Sequence, residues 1–268
     1  MKTRIISGAV LTVILVGAVA GGRITMFILA LAISLMGIYE LYKVVGIEKS
    51  ALGATGYLLA LSYFTLLWFN KLCYLDYFCV ISGILIMFVY VCSFKNKTAK
   101  QAGFALLGIY YVAIPISYIY RIRILDKGIF IFILVFVCSW IADTFAYFTG
   151  VTLGKHKLVP NLSPKKSVEG AIGGIVGATV IGTIYGIILG NYYDEKLALS
   201  FAIICALGSF ISIFGDLAAS AIKRNYDIKD YSNLIPGHGG ILDRFDSMIF
   251  VAPLVYTGAT ILLPLLKG

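Results

Sequence analysis

The chain has 268 residues, of which 60% are hydrophobic and only 13% are charged, and its mean hydropathy is +0.95. Because soluble domains are typically about a quarter charged, this composition excludes an ordinary soluble protein and predicts an all-α integral membrane protein. The net charge of +9 comes from bases scattered through the loops, so it indicates contact with anionic membrane lipids and disfavours nucleic acid as a partner.

About nine stretches are apolar and approach the roughly 20 residues that cross a bilayer as a helix. They cover residues 4–20, 25–39, 51–69, 74–94, 102–121, 129–148, 170–190, 197–221 and 247–265. The first stretch imitates a secretory signal, because Lys2 and Arg4 precede it and the small residues 18–20 end it. Since further spans follow at once, we expect an uncleaved helix, and cleavage stays the alternative.

The distribution of basic residues predicts how these spans are oriented. With the N-terminus inside, fifteen of the 22 Lys and Arg residues fall on inner segments and seven on outer ones. This bias predicts a multi-pass protein of the cell membrane with a cytoplasmic N-terminus and an outside C-terminus. It also places the two longest polar loops, 149–169 and 222–246, together on the cytoplasmic side.

The two halves of the chain differ in their polar residues. Residues 1–123 are predicted to be membrane helices joined by short basic linkers, and their acids are interpreted as interfacial. These acids are Glu40, Glu48 and Asp76. Residues 124–268 carry Asp143 and Asp216 within apolar spans, together with both long loops. Because ionisable groups inside a membrane usually mark function, we expect a catalytic membrane region in 124–268.

Three carboxylates near the ends of the last two spans suggest a metal site. Asp243 and Asp246 are three residues apart, so their carboxylates share one face of a helix. Asp216 could reach the same ion from the eighth span. Carboxylate oxygens and substrate phosphates are the ligands that Mg²⁺ prefers. We predict Mg²⁺ here, with a second cation left open and a structural salt-bridge network as the alternative.

Two segments suit bound phosphate. Ser163, Lys165, Lys166 and Ser167 lead into the seventh span, where hydroxyls, lysines and a helix N-terminus together make an anion site. An ordinary basic loop at the membrane surface is the alternative. In the turn 236–240, small residues let backbone N–H groups approach phosphate oxygens, and the imidazole there could donate to them. The residues concerned are His238, Gly239 and Gly240.

Several known signatures are missing from the chain. It has no G-x-x-x-x-G-K-[ST], no H-E-x-x-H and no G-x-S-x-G. Their absence disfavours a P-loop pump, a zinc protease and a serine hydrolase of the usual type. Metal-assisted phosphoryl or nucleotidyl transfer at the membrane surface remains as the predicted class of reaction.

Residues 220–246 resemble the signature of the phosphatidate cytidylyltransferases, also called CDP-diacylglycerol synthases. The shared pattern is a serine, K-R, K-D, a small residue, an H-G-G turn and D-R-hydrophobe-D. The matching positions are Ser220, Lys223, Arg224, Lys229, Asp230, Ser232, Pro236, His238, Gly239, Gly240, Asp243, Arg244 and Asp246. The S-P-K-K-S-V-E-G segment and the intramembrane Asp143 and Asp216 extend the resemblance over about 143–250.

The resemblance implies transfer of a cytidylyl group from CTP to phosphatidic acid, giving CDP-diacylglycerol and pyrophosphate with Mg²⁺ as cofactor. It implies catalytic roles for five residues, namely Asp216, Lys223, Arg224, Asp243 and Asp246. Lys229 and Arg244 join the predicted phosphate ligands, and Asp143 is an additional intramembrane acid. The active site is expected on the cytoplasmic side.

Other functions stay open at this point. A CTP-dependent lipid kinase of the dolichol-kinase kind would release CDP rather than pyrophosphate. A transporter would use Asp143 and Asp216 as coupling-ion sites near the membrane midplane, although both lie towards one leaflet. The glycine-rich seventh span permits close helix packing, which also leaves a homodimer open.

Overall fold

The computed structural model describes residues 2–193, 196–237 and 239–265, and helices dominate all three ranges. The α-helices are α1 (Lys2–Ala20), α2 (Arg23–Val44), α3 (Ala51–Trp68), α4 (Leu75–Cys92), α5 (Ala99–Leu107), α6 (Ile114–Arg123), α7 (Gly128–Phe136), α8 (Ala142–Leu153), α9 (Val168–Tyr193), α10 (Ala198–Asn225) and α11 (Leu242–Leu265). The described residues also form a two-stranded antiparallel sheet of β1 (Lys157–Val159) and β2 (Ser163–Ser167).

Eight helical segments of the described chain are long and apolar enough to cross a membrane. They are Arg23–Val44, Ala51–Trp68, Leu72–Cys92, Ala99–Arg123, Gly128–Leu153, Val168–Tyr193, Ala198–Asn225 and Leu242–Leu265. The first predicted span is present as α1, whose apolar part Val10–Ala20 is shorter than the others. The all-α membrane class is therefore confirmed, and the orientation of the termini stays a prediction.

Two of the crossing segments contain a π-helical turn, at Gly108–Ala113 and at Val137–Ile141. A π turn inserts extra backbone into an α-helix and changes which residues face the neighbouring helices. Asp143 follows the second π turn by two residues, in the first turn of α8. The apolar pattern of the sequence did not predict these interruptions.

The two long polar loops are shorter than predicted. Helix α10 continues to Asn225 and α11 begins at Leu242, so the second loop spans 226–241 instead of 222–246. Lys223 and Arg224 are accordingly helical. The first loop begins after Leu153 and folds into the hairpin of β1 and β2. Polar residues at the ends of membrane helices can stay helical in the interface, which apolar periodicity alone does not detect.

Residue contacts divide the chain into two compact units. The first comprises Met1–Tyr120 with Asp230–Arg244, and the second comprises Arg121–Lys229 with Phe245–Gly268. The predicted boundary near residue 123 lies close to the first division, but the segment Asp230–Arg244 packs with the N-terminal helices. The division by contacts does not test where catalysis occurs, so the assignment of catalysis to residues 124–268 stays a prediction.

The first unit packs around Tyr42 of α2, which is fully buried. Its hydroxyl donates to the carbonyl oxygen of Ala105 at 2.8 Å. A Cβ atom at Gly56 or Gly108 would collide with the Tyr42 ring, so these glycines make room for it. A buried tyrosine usually needs a partner for its hydroxyl, and here that partner joins α2 to α5.

The second unit is held by close packing along the glycine-rich α9. Gly170 and Gly174 lie against the backbone of α8, and Gly186 lies against the backbone at the start of α10. Small residues allow such close helix approach in membranes. These contacts within one chain account for the glycine spacing, so the homodimer stays a prediction that the spacing no longer supports.

The hairpin leads directly into α9. Its register pairs Lys157 with Ser167 and includes an irregularity before Val159. The Ser167 hydroxyl accepts a hydrogen bond from the Gly170 amide at 3.1 Å and so caps the N-terminus of α9. The hairpin therefore places Lys165 and Lys166 immediately before a helix N-terminus.

Candidate active site

In the second unit, Lys166 of β2 forms an ion pair with Asp216 of α10. The two side chains are 26% and 30% exposed, so neither is fully enclosed by the protein. Asp216 lies about two turns before α10 ends at Asn225. The pair joins the hairpin to the acid that the sequence predicted as a metal ligand.

Asp246 of α11 lies within hydrogen-bonding reach of Asp216 and within electrostatic reach of Lys223. Gly215 explains how the two helices come so close. A Cβ atom at this position would lie 2.8 Å from the Asp246 carbonyl oxygen and 2.9 Å from the Cα of Ser247. The absence of a side chain at Gly215 thus lets α10 and α11 bring two carboxylates together.

Two further charged residues complete this group of the second unit. Lys223, predicted to be catalytic, is buried near Asp246. Asp143 is exposed on the protein surface and lies within electrostatic reach of Lys166 and Asp216. We call Asp143, Lys166, Asp216, Lys223 and Asp246 the carboxylate–lysine cluster. Its two amines can bind phosphate oxygens, and the neighbouring carboxylates of Asp216 and Asp246 can bind a cation.

The neighbouring carboxylates of Asp216 and Asp246 fit a divalent cation. Two carboxylates within hydrogen-bonding reach of each other repel unless a cation or a proton lies near them. Across the described ranges, no three His, Cys, Asp or Glu side chains form a group able to hold a metal ion. Mg²⁺, however, is usually held by one or two carboxylates together with water and substrate phosphates. The pair therefore suits Mg²⁺, and the predicted third ligand, Asp243, stays a prediction.

The loop 231–241 of the first unit closes on Asp243. One oxygen of this buried carboxylate, Oδ2, accepts hydrogen bonds from the amides of Tyr231 and Gly240, both at 2.9 Å. The carboxylate thus joins the beginning of the loop to its end. The Gly240 amide thus donates to Asp243, and the phosphate contact predicted for it stays a prediction.

Glu40 is a second buried carboxylate at the same loop, and its side chain is only 1% exposed. It accepts hydrogen bonds from the Ser232 hydroxyl at 2.5 Å and from the amides of Ile241 at 2.9 Å and Leu242 at 2.8 Å. The last two amides lie at the start of α11. The N-terminus of α11 is thus capped by a side chain from α2.

Comparison with known proteins identifies the family of this chain. The model of the cytidylyltransferase family matches residues 2–262. The chain belongs to the cytidylyltransferase family. Similar curated proteins include the phosphatidate cytidylyltransferases of Bacillus subtilis, 35% identical over 96% of both chains, and of Synechocystis, 34% identical over 72% of this chain and 74% of the relative. That of Rickettsia felis is 34% identical over 71% of this chain and 83% of its own.

Membership in the cytidylyltransferase family confirms the resemblance seen in residues 220–246. The chain is therefore an enzyme of nucleotidyl transfer with several membrane-crossing helices.

The other predicted ligands of this cytidylyltransferase differ in their surroundings. Four predicted bases are exposed, and these are Lys165, Arg224, Lys229 and Arg244. Arg224 donates to the carbonyl oxygen of Ile228 at 3.4 Å, and the Gly239 carbonyl oxygen accepts from the Ile235 amide at 2.9 Å. Ser163 is half-buried in β2 and Ser167 is buried. His238 lies outside the described residues.

The interfacial interpretation of Glu40 was wrong, and this residue is the main one that sequence reasoning missed. Its side chain is enclosed by the loop 231–241 rather than by headgroups or water. The available signal was an acid only four residues from the end of the apolar helix α2. Such a residue is costly within a membrane unless it has partners.

Proposed function

We propose that this chain transfers a cytidylyl group from CTP to phosphatidic acid, forming CDP-diacylglycerol for phospholipid biosynthesis and releasing pyrophosphate. Family membership over residues 2–262 supports the nucleotidyl transfer, and the names of the relatives support phosphatidic acid as the acceptor. The observation that carries the proposal for the site is the carboxylate pair of Asp216 and Asp246 beside two lysines.

The reaction joins two polyanions. A phosphate oxygen of phosphatidic acid attacks the α-phosphorus of CTP in line, and the bond from this phosphorus to the oxygen of the β-phosphate breaks. A phosphate monoester already carries a nucleophilic oxygen near neutral pH, so no side chain is required as a general base. The protein therefore contributes mainly by neutralising charge and by orienting the two phosphates.

The amines of the carboxylate–lysine cluster are suited to this task. Lys166 is paired with Asp216 and Lys223 lies near Asp246, so both amines are held close to the carboxylates. Phosphate oxygens would compete with these carboxylates for the amines. Lys165, Lys229, Arg224 and Arg244 are exposed and would bind further phosphate oxygens, the guanidinium groups by two parallel hydrogen bonds.

Asp216 and Asp246 would hold Mg²⁺, and Asp243 is a further candidate ligand. When bound, the ion supplies positive charge to the phosphates of the substrate. We place the site on the cytoplasmic side of the membrane, because the excess of Lys and Arg on the inner segments favours that orientation. The acyl chains of phosphatidic acid would remain among the membrane helices.

The decisive test uses purified protein in detergent with phosphatidic acid, Mg²⁺ and CTP labelled at the α-phosphorus. We expect label in the lipid together with an equal amount of pyrophosphate, and loss of both when EDTA is added or either substrate is omitted. Label in soluble CDP would instead identify a lipid kinase. A well-folded sample that transfers no label to any phosphate-bearing lipid would overturn the proposal.

A further inference from the structure

Glu40 is an acidic residue in a place where a charge is costly. It lies in the membrane-crossing helix α2 and is 1% exposed. A carboxylate in such a place persists when hydrogen bonds compensate the loss of water. Among the described residues, the three groups that donate hydrogen bonds to it are all uncharged. A shift of the Glu40 side chain would therefore break the hydrogen bonds that the backbone donates to it.

Two of these donors are the amides of Ile241 and Leu242, at the start of α11. The first amides of a helix have no partner within the helix, and a negative charge beside them is favourable. A cap usually comes from a residue next to the helix. Here it comes from a residue 201 positions away in sequence. The cap thus anchors the N-terminus of α11 to α2.

The third donor, the Ser232 hydroxyl, lies near the beginning of the loop 231–241. Its oxygen also accepts a hydrogen bond from the Leu234 amide at 3.2 Å. Glu40 consequently holds both ends of this loop. Asp243 holds the same two ends through Tyr231 and Gly240. The two carboxylates together hold both ends of the loop that contains the H-G-G turn of the signature.

Gly240 shows how closely the loop lies against Glu40. A Cβ atom at this position would lie 2.6 Å from both carboxylate oxygens of Glu40. Any side chain here would push the loop away from the carboxylate. The last glycine of the turn thus permits the close contact with Glu40, which is a different reason from the phosphate contact expected from the sequence.

We propose that Glu40 is a positioning residue, which fixes the loop 231–241 and the first turn of α11 so that Asp243 is held in place for catalysis. This inference rests on the proposed cytidylyl transfer and on the role proposed there for Asp243. Glu40 itself acts through the loop, because the groups that it contacts are the Ser232 hydroxyl and two backbone amides.

Two substitutions and one control test the role in the full-length protein. Glu40→Gln keeps the shape of the side chain but replaces one acceptor oxygen by an amide donor, which opposes one of the two helix amides. Ser232→Ala removes the hydroxyl that donates to Glu40 and accepts from the Leu234 amide, and it leaves the cap of α11. Glu48→Gln is the matched control, because it removes the same charge from a half-buried residue that follows α2.

We expect Glu40→Gln to lower kcat by about 10–100-fold, the range typical when a residue that orients a metal ligand is lost. The KM for CTP should change little, because a loss confined to the transition state appears in kcat. Ser232→Ala should lower kcat less, and Glu48→Gln should behave as wild type. In Glu40→Gln, hydrogen–deuterium exchange should become faster in peptides that cover 239–243 and stay unchanged in those from α3.

Equal kcat in Glu40→Gln and Glu48→Gln would overturn the inference, as would unchanged exchange over 239–243. If both variants lost the same thermal stability and had the same kcat, Glu40 would be an ordinary buried residue without a positioning role. Failure of the proposed function looks different, because the wild-type protein itself would then transfer no label to phosphatidic acid.

Discussion

Lys166 on the second strand of the hairpin forms an ion pair with Asp216, which lies fifty residues later on α10. The pair connects two segments that the sequence had assigned to different tasks, phosphate binding and metal binding. In the structure the residues predicted for these tasks belong to one group of charges, since Asp246 lies beside Asp216 and Lys223 lies near Asp246. Substitutions within the group should therefore have separable kinetic effects.

Removing either carboxylate of the pair should abolish turnover. Asp216→Asn and Asp246→Asn each take away an anionic ligand while keeping the size of the side chain. We expect the loss of kcat to exceed the roughly 10–100-fold typical of residues that only orient ligands. Initial rates across a Mg²⁺ titration measure this, and membrane insertion should be unaffected. Asp76→Asn, at an exposed position in α4, is the control. Wild-type turnover at limiting Mg²⁺ would remove the substituted residue from the metal site.

Neighbouring lysines of the hairpin should differ in effect. Lys165 is exposed, whereas Lys166 is half-buried and paired with Asp216. Lys165→Ala should mainly raise the KM of one phosphate-bearing substrate. Lys166→Ala should also lower kcat, because it changes the charge beside the carboxylate pair. Kinetics with CTP and phosphatidic acid varied separately distinguish the two. An unchanged KM for both substrates in Lys165→Ala would support the alternative that this segment is an ordinary basic loop.

A single methyl group at Gly215 should disrupt the carboxylate pair. The Cβ atom of Gly215→Ala would approach the Asp246 carbonyl oxygen to 2.8 Å, so α10 and α11 must separate there. We expect a large loss of kcat that exceeds any change in thermal stability. Gly83→Ala in α4 is the matched control, because nothing lies within 4 Å of its Cβ position. An alanine there should change stability by at most about 1 kcal/mol and leave activity intact. Full activity of Gly215→Ala would show that the close approach is not needed.

The hairpin should loosen when Glu169 is neutralised. This residue in the first turn of α9 accepts hydrogen bonds from the amides of Lys155 and His156, at 3.1 Å and 3.2 Å, and contacts the His156 ring at 2.6 Å. Glu169→Gln weakens all three contacts. We expect faster cleavage within residues 154–167 in limited proteolysis and a higher KM for a phosphate-bearing substrate. Cleavage at the wild-type rate would show that the strand pairing alone holds the hairpin.

Much of the fold follows from local sequence. Spans of apolar residues with a length near that of the bilayer correspond to crossing helices, because a backbone in hydrocarbon must satisfy its hydrogen bonds internally. Ser163 and Ser167 were predicted to lie beside the N-terminus of the seventh span, and the Ser167 hydroxyl caps α9 there. The fixed order of polar residues in 220–246 was specific enough to indicate the family, which the match over 2–262 confirms.

The sequence by itself thus determined the membrane class, the approximate helices and the chemical types present at the site. Only the tertiary structure decided which charges meet. Contacts such as Glu40 with Leu242, or Lys166 with Asp216, join residues that are far apart in the chain. Local periodicity carries no information on such pairs, because they depend on how helices pack. Gly215 and Gly240 show the physical reason. Each permits a close approach, and only the folded structure shows which residue is approached.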